Sequence, residues 1–571
     1  MYFRLPVLIV FVFAGIIALM AFQSRFSKQV SLANGEELIV PAESGLLSSE
    51  TTDKDGKRNK GLRSIRAVDL RAHLEFLADD LLEGRESGSR GARLAAMYIA
   101  THFERLGLRA VGDDQTYYQA VSLARKRVLP GSELKVEIKG EMVPLRFGQD
   151  FLVAATPSES GTPIRAPLVF CGFGIKSEQD NYDDYKNINV EDKVALYLSG
   201  EPHREDENGS DAGAPPHYVS GRTKRRIARQ AGAVAAIGVL RQKQLAQFGW
   251  AGMQTHLLSA RVSLMADKAH GEPGLASVIL HPQAASIIFA DEQQDYAAVD
   301  EAASSGLTHA FEMNKRVEIK ILFEDEEIHD SNVVAFLEGS DPELKSEVIV
   351  VSAHYDHVGM GTAVAGDSVY NGAADNASGT AGLLELAEAF ASLTQSPRRS
   401  LLFLAVTAEE KGLLGSKYYV EHPIFPLEKT VANFNLDMIG IGDTTALVVY
   451  GIDRSSLGDD VRKAAARFGL EIWPDDMPEQ RIFYRSDHYS FAQKGVPAIF
   501  PSFGTRRSDF PEFKKFYHRP SDDVTLSWLN YPYMQKHVQV VFQAMLEVAN
   551  ADEPPQWVPD DEFGKVRQRK N

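Results

Sequence analysis

One cysteine, Cys171, occurs in the whole 571-residue sequence. No intramolecular disulfide framework can form, and no N-terminal lipid-attachment cysteine is available, so a chain of this size relies on its core. Positive charge is in deficit as well: 61 Lys and Arg face 78 Asp and Glu, a formal charge of −17. A nucleic-acid binder needs a basic face, and this balance argues against one. No internal repeat is present. The length exceeds one ordinary domain and implies two or three.

A long apolar run stands at the start. Leu5–Phe22 is uncharged throughout, with Arg4 before it and Arg25 and Lys28 after. Eighteen residues at ~1.5 Å each reach roughly 27 Å, enough to span a bilayer core. The run is long for a signal-peptide core and no clean A-x-A cleavage site follows. Residues 1–25 are therefore expected to be a signal anchor or a signal peptide. Both readings export the rest of the chain to the periplasmic or extracellular side, anchored to the membrane if the segment is uncleaved. Residues 26–64 are polar and read as a flexible linker.

Helical spacing begins at Asp69, with Leu70, Leu74, Leu77, Leu81 and Leu82 on one face. Residues 65–160 read as the first part of one domain. Residues 161–305 differ: short buried-strand patterns such as "APLVFCGFGI" and "DKVALYLSG" alternate with a few helices, which suggests an inserted module. Residues 306–550 open on long strands, "RVEIKILFEDEEI", "NVVAFLEG" and "SEVIVVSAHYDHVG", and then alternate helix and strand. Alternation with near-continuous apolar strands implies an α/β fold: a mixed, largely parallel sheet with helices on both faces. Residues 551–571 read as a loose tail.

Ligands of open α/β sheets bind beyond the carboxyl ends of the strands. His354 and Asp356 follow "VIVVSA", Glu409 and Glu410 follow "LLFLAVTA", Asp437 follows "ANFNL", and Asp375 sits in the Gly-rich loop "YNGAADNASG". Each has an ordinary explanation alone: a structural histidine, a helix cap, solvated glutamates, a turn. Their shared edge is what needs explaining. Imidazole and carboxylate without cysteine suit zinc or a harder divalent ion, and carboxylates can bridge two ions ~3.5–4 Å apart. Cations would make adjacent glutamates favourable, one as ligand and its neighbour reaching a bound water.

The segments "SAHYDHVG", "NGAADNASG", "TAEEKGLLGS", "NLDMIG" and "FYHRPSDD" together resemble the motifs of the co-catalytic zinc aminopeptidase family, in the same order. That family includes bacterial leucyl aminopeptidases, glutamate carboxypeptidases and the inactive transferrin-receptor ectodomain. The resemblance covers about residues 65–550 and implies a zinc exopeptidase fold, in which 161–305 resembles the β-rich protease-associated (PA) domain that many members carry inserted. It implies two Zn2+ per chain: His354 and Asp437 on one ion, Asp375 bridging, Glu410 and His518 on the other. Glu409 would be the general base and acid, and Asp356 would orient the His354 imidazole. Tyr517 and Tyr484 are two candidates for a donor to the tetrahedral oxyanion, and both could equally be packing residues. Arg485, Asp487 and His488 are weaker candidates for shaping the pocket. His357 and Asp367 are expected not to ligate.

The expected activity is removal of N-terminal residues from peptides. A carboxypeptidase of the same fold remains open, because the residues meeting the substrate's charged terminus are not readable. Glutaminyl cyclases share the fold but work without water, usually at one zinc. A non-catalytic, membrane-tethered binding protein would be signalled by missing ligands, and none is missing. The insert could also cover the cleft. Oligomeric state is not legible.

Overall fold

The computed structural model describes residues 56–178, 181–202, 220–265, 274–305 and 308–568. The expected anchor or signal over 1–25 and the greater part of the expected linker lie outside these residues. Among the described residues, no helix is long and apolar enough to cross a membrane.

The central sheet is built from β1 (Tyr118–Val128), β2 (Phe323–Leu337), β3 (Val348–His354), β4 (Ser400–Val406), β5 (Thr430–Asn435), β6 (Asp443–Tyr450), β7 (Glu471–Trp473) and β8 (Ala498–Gly504). The helices around it are α1 (Gly56–Ser64), α2 (Ala67–Leu77), α3 (Arg90–Arg105), α4 (Ser378–Ala391), α5 (Leu414–Glu421), α6 (Leu457–Arg467), α7 (Phe510–Phe516) and α8 (Tyr531–Asn550). Across the sheet the order is β1-β2-β4-β3-β5-β8-β6-β7, with the short strand Arg261–Leu264 beyond β1.

Parallel pairing links β4, β3, β5 and β8. These strands are apolar on both faces because both faces are covered, the condition for a parallel sheet. Ile349 and Val351 meet Leu74, Phe103, Phe390 and Phe542 on one side. Val348 and Val350 meet Tyr419 and Phe491 on the other. The sheet is mixed, as expected: parallel through this centre and again between β6 and β7. β1, β2 and β4 pair antiparallel, as do β6 and β8. No helical crossover lies directly between β1 and β2; the second sheet intervenes.

That second sheet has eight strands, in the order Glu141–Leu145, Glu133–Ile138, Phe311–Lys320, Ile164–Phe170, Val194–Leu198, Ala235–Val239, Ser277–Leu280 and Phe151–Ala155. Its strands run from Glu133 to Lys320, wider than the expected 161–305. Its own core includes Phe170, Leu196, Ile237, Val278 and Phe289.

Two expectations at the ends are corrected. The last part of the expected linker is helix α1, where Leu62 packs on the main core. The tail beyond Asp552 is docked: Trp557 donates to the Gly495 carbonyl at 2.9 Å, and Arg454 pairs with Asp561 at 2.9 Å and Glu562 at 2.8 Å. Phe563 is buried beneath the Arg454 guanidinium, 4.7 Å from the ring centre. Two isolated aromatic anchors have no periodicity, so the pattern gave no sign of them.

Candidate metal centre

The ends of β3, β4 and β5, the loop before α4 and the turn after α7 bring four acidic groups and two imidazoles together. His354 closes β3, and its Nε2 lies 3.3 Å from Asp375 Oδ1 and 3.5 Å from Asp437 Oδ1. His518 Nε2 lies 3.1 Å from both Asp375 Oδ2 and Glu410 Oε2. The two oxygens of Asp375 thus face different imidazoles, the disposition of a bridging carboxylate. Ligand atoms of His354, Glu409 and Asp437 lie within 4.8 Å of one another, as do those of His357, Asp375 and Glu410.

So many buried carboxylates need positive charge. Burial pulls the His354 imidazole down, but Glu409, Asp375 and Asp437 overcome it and raise it well above its ordinary value. Burial opposes ionisation of Asp375, yet His354 and His518 hold it well below the usual carboxylate range. The adjacent glutamates separate. Burial lifts Glu409 well above normal, with the charges of Glu410, Asp487 and Asp437 adding to the effect. Burial and Asp375 also push Glu410 up, but His357 and His518 bring it to about 2. Two neighbouring carboxyls with opposite shifts mark different tasks, one proton-holding and one anionic. The donor set, N and O without sulfur, clustered and mostly buried, suits zinc.

Several residues hold this geometry. The Asp356 carboxylate accepts the Glu409 N–H at 3.1 Å and the Ser87 hydroxyl at 3.0 Å. His354 Nδ1 instead lies 3.1 Å from the Asp356 backbone carbonyl, with the nearest carboxylate oxygen at 3.8 Å. The expected orientation of the imidazole therefore comes from the main chain of Asp356, while its side chain fixes the turn carrying Glu409. Ala408, Met438 and His518 all have left-handed φ of 53–55°. Non-glycine residues held there cluster at functional sites.

Three supporting residues had no sequence signal of their own. Asp522 accepts the N–H groups of Ala374 at 2.7 Å and Asp375 at 3.0 Å. It lies in the same "FYHRPSDD" segment as His518, the one clue available. Ser486 donates to Asp437 at 2.7 Å and accepts from Asn435 at 2.7 Å. Arg85, buried, donates to the carbonyls of Tyr355 (2.8 Å), Asn371 (2.7 Å), Gly372 (3.0 Å) and Leu77.

A pocket opens on the cluster, lined by His354, Asp375, Glu409 and Asp437 and by an apolar wall that includes Met438, Ile482, Phe500 and Phe513. Tyr517 lines it, stacked on His518 at 3.9 Å, and burial keeps its hydroxyl protonated far up the scale. Tyr484 does not. Its hydroxyl donates to Glu562 at 3.0 Å on the docked tail, which removes it as an oxyanion donor. Arg485 lines the pocket; Asp487 and His488 are buried behind it. Asp367 is exposed and accepts the N–H of Val369 in its own hairpin. No described residue of the second sheet lines this pocket.

Residues 332–545 match the model of peptidase family M28. The M28 segment holds the six clustered side chains. Aminopeptidase YwaD of Bacillus subtilis (strain 168) is 29% identical over 217 residues, 37% of this chain and 43% of that protein. Probable leucine aminopeptidase 2 of Aspergillus oryzae is 34% identical over 175 residues, 29% of this chain and 32% of that protein. The chain spans less than half the length of these curated relatives. Among solved structures, an aminopeptidase from Aneurinibacillus sp. strain AM-1 aligns with a TM-score of 0.53 and 20% identity, covering 87% of this chain and 97% of that one. This likeness extends the shared fold well beyond the M28 segment.

Proposed function

We propose that this protein is an exported, zinc-dependent exopeptidase that removes N-terminal residues from peptides. The observation that carries the reading is the convergence of His354, Asp375, Glu410, Asp437 and His518, with Glu409 beside them. His354 and Asp437 would hold one zinc, Glu410 and His518 a second, and Asp375 both. When bound, zinc lowers the pKa of water toward ~7 from 15.7 and polarises a peptide carbonyl. Glu409 takes the proton from the attacking water and delivers it to the leaving amine, as its raised basicity suits. Tyr517, protonated and in the pocket, is placed to donate to the developing oxyanion. The apolar wall selects substrates with large apolar side chains. The second sheet is read as the PA-like insert, and the terminal segment before the described residues as the export signal or anchor.

The deciding experiment is a panel of aminoacyl-p-nitroanilides and short peptides, run on the purified ectodomain with and without chelator. Turnover of leucyl and phenylalanyl substrates that chelator abolishes and zinc restores is the expected result. Inertness after zinc resupply would end the proposal. Asp375→Asn is expected to reduce metal content from two ions to fewer than one per chain by elemental analysis; two retained ions would count against bridging.

A second reading has one observation in its favour. Arg485 lines the pocket and makes no side-chain hydrogen bond or ion pair among the described residues, which suits a substrate carboxylate. A carboxypeptidase would lose activity on C-terminally amidated peptides and keep it on N-acetylated ones. The aminopeptidase reading predicts the reverse.

A further inference from the structure

The sequence gives no reason to separate His357 from the ordinary run of core histidines, but its surroundings do. The ring is fully buried, and neither nitrogen has a hydrogen bond of good geometry. A buried polar group left this way costs ~1–3 kcal/mol. Its Nδ1 lies 2.8 Å from Glu410 Oε1, off line for a hydrogen bond. Glu410 turns its other oxygen, Oε2, toward His518. The imidazole therefore meets Glu410 at the oxygen that His518 does not face.

The ring is also confined. The His357 N–H donates to the Arg85 carbonyl at 3.1 Å. Gly372, with φ of 62°, packs on the ring so closely that a Cβ there would lie 2.5 Å from His357 Cγ. Asp375 and Asp522 lie within electrostatic reach of the ring.

We propose that His357 is a positioning residue for the second zinc: its Nδ1, 2.8 Å from Glu410 Oε1, would turn its N–H onto that oxygen and hold it, so that Oε2 is presented to the ion that His518 and Asp375 would share. The inference rests on the dizinc reading above. Partners of metal-binding carboxylates and imidazoles commonly cost 10–100-fold in metal affinity when removed. The effect should be one-sided, because His354 and Asp437 do not depend on this contact.

The test is titration of the metal-free full chain with zinc by calorimetry, and with cobalt(II) by visible absorption. In His357→Ala the first equivalent should bind as in the unaltered protein and the second ~10–100-fold more weakly. His357→Asn places an amide N–H where Nδ1 stood and should recover most of the second-site affinity. His357→Gln places its amide where Nε2 stood and should not. Thermal unfolding of each metal-free variant checks the fold, and if the Ala variant fails to fold, the Asn–Gln contrast carries the decision. Two equivalents of normal affinity in His357→Ala, equal loss at both sites, or recovery by Gln but not Asn would each overturn the role of His357. An unaltered chain that takes up no zinc would overturn the dizinc reading and this inference with it.

Discussion

Glu409→Gln, on the dizinc peptidase reading proposed above, is expected to keep the fold and the metal content and to lower kcat by about 10²–10⁴-fold, the usual contribution of a positioned proton-transfer group. Glutamine is nearly isosteric and cannot accept the proton. The backbone N–H of residue 409 would still donate to Asp356, and Glu410 would still face His518. Burial and the charges around Glu409 raise its basicity, and the amide discards that basicity without opening a cavity. The loss should fall on kcat with little change in KM, because the substitution removes an interaction of the transition state. Paired metal analysis and steady-state kinetics check this. Turnover within tenfold of the unaltered enzyme, with metal content intact, would remove Glu409 from its role.

Arg85→Ala is expected to cost the largest amount of stability of any single change considered, on the order of 3–5 kcal/mol. The guanidinium is buried and serves four carbonyls, those of Leu77, Tyr355, Asn371 and Gly372. Its removal leaves acceptors unsatisfied and deprives Asp522 and Asp356 of a neighbouring positive charge. Two of its carbonyls belong to the loop that leads to Asp375, so metal affinity should fall with stability. Arg85→Lys should be intermediate, since an ammonium has three donors and lacks the planar fork. Urea unfolding of the zinc-free proteins measures the difference. An alanine variant within about 1 kcal/mol of the parent would mean that the loop is held by other contacts.

The sequence exposed the ligands because each lies at a strand exit. His354, Glu409, Glu410 and Asp437 follow apolar runs that can be read by eye, and Asp375 lies in a Gly-rich turn. What escaped was support that acts through the main chain over long separations. Arg85 meets carbonyls nearly three hundred residues away, and Asp522 holds amides about 150 residues earlier. Neither pairing leaves a periodicity. The helical spacing from Asp69 continues to Leu82, whereas the helix ends at Leu77. Glu83, Gly84 and Arg85 then take left-handed φ of 50°, 66° and 50° and aim the guanidinium inward.

Strand assignment failed where one run served two sheets. "RVEIKILFEDEEI" reads as a single strand, yet Phe311–Lys320 belongs to the second sheet and Phe323–Leu337 to the first. The chain changes sheet at Ile321 and Leu322, both apolar, so hydropathy gives no break. Of the acidic run that follows, Glu324, Asp325 and Glu326 pair with Arg127, Lys126 and Arg125 on β1, which explains how such residues continue a strand. Tyr484 and Tyr517 looked equivalent in sequence. The structure separates them: Tyr517 lines the pocket, whereas the docked tail occupies the Tyr484 hydroxyl.

His518 and Asp522 stand near the far end of the chain, whereas Arg85 stands near its beginning. During synthesis the cluster stays incomplete until the whole stretch from Arg85 to Asp522 has emerged. On the peptidase reading proposed above, a site assembled in this order is inactive while the main chain that precedes it is still extended.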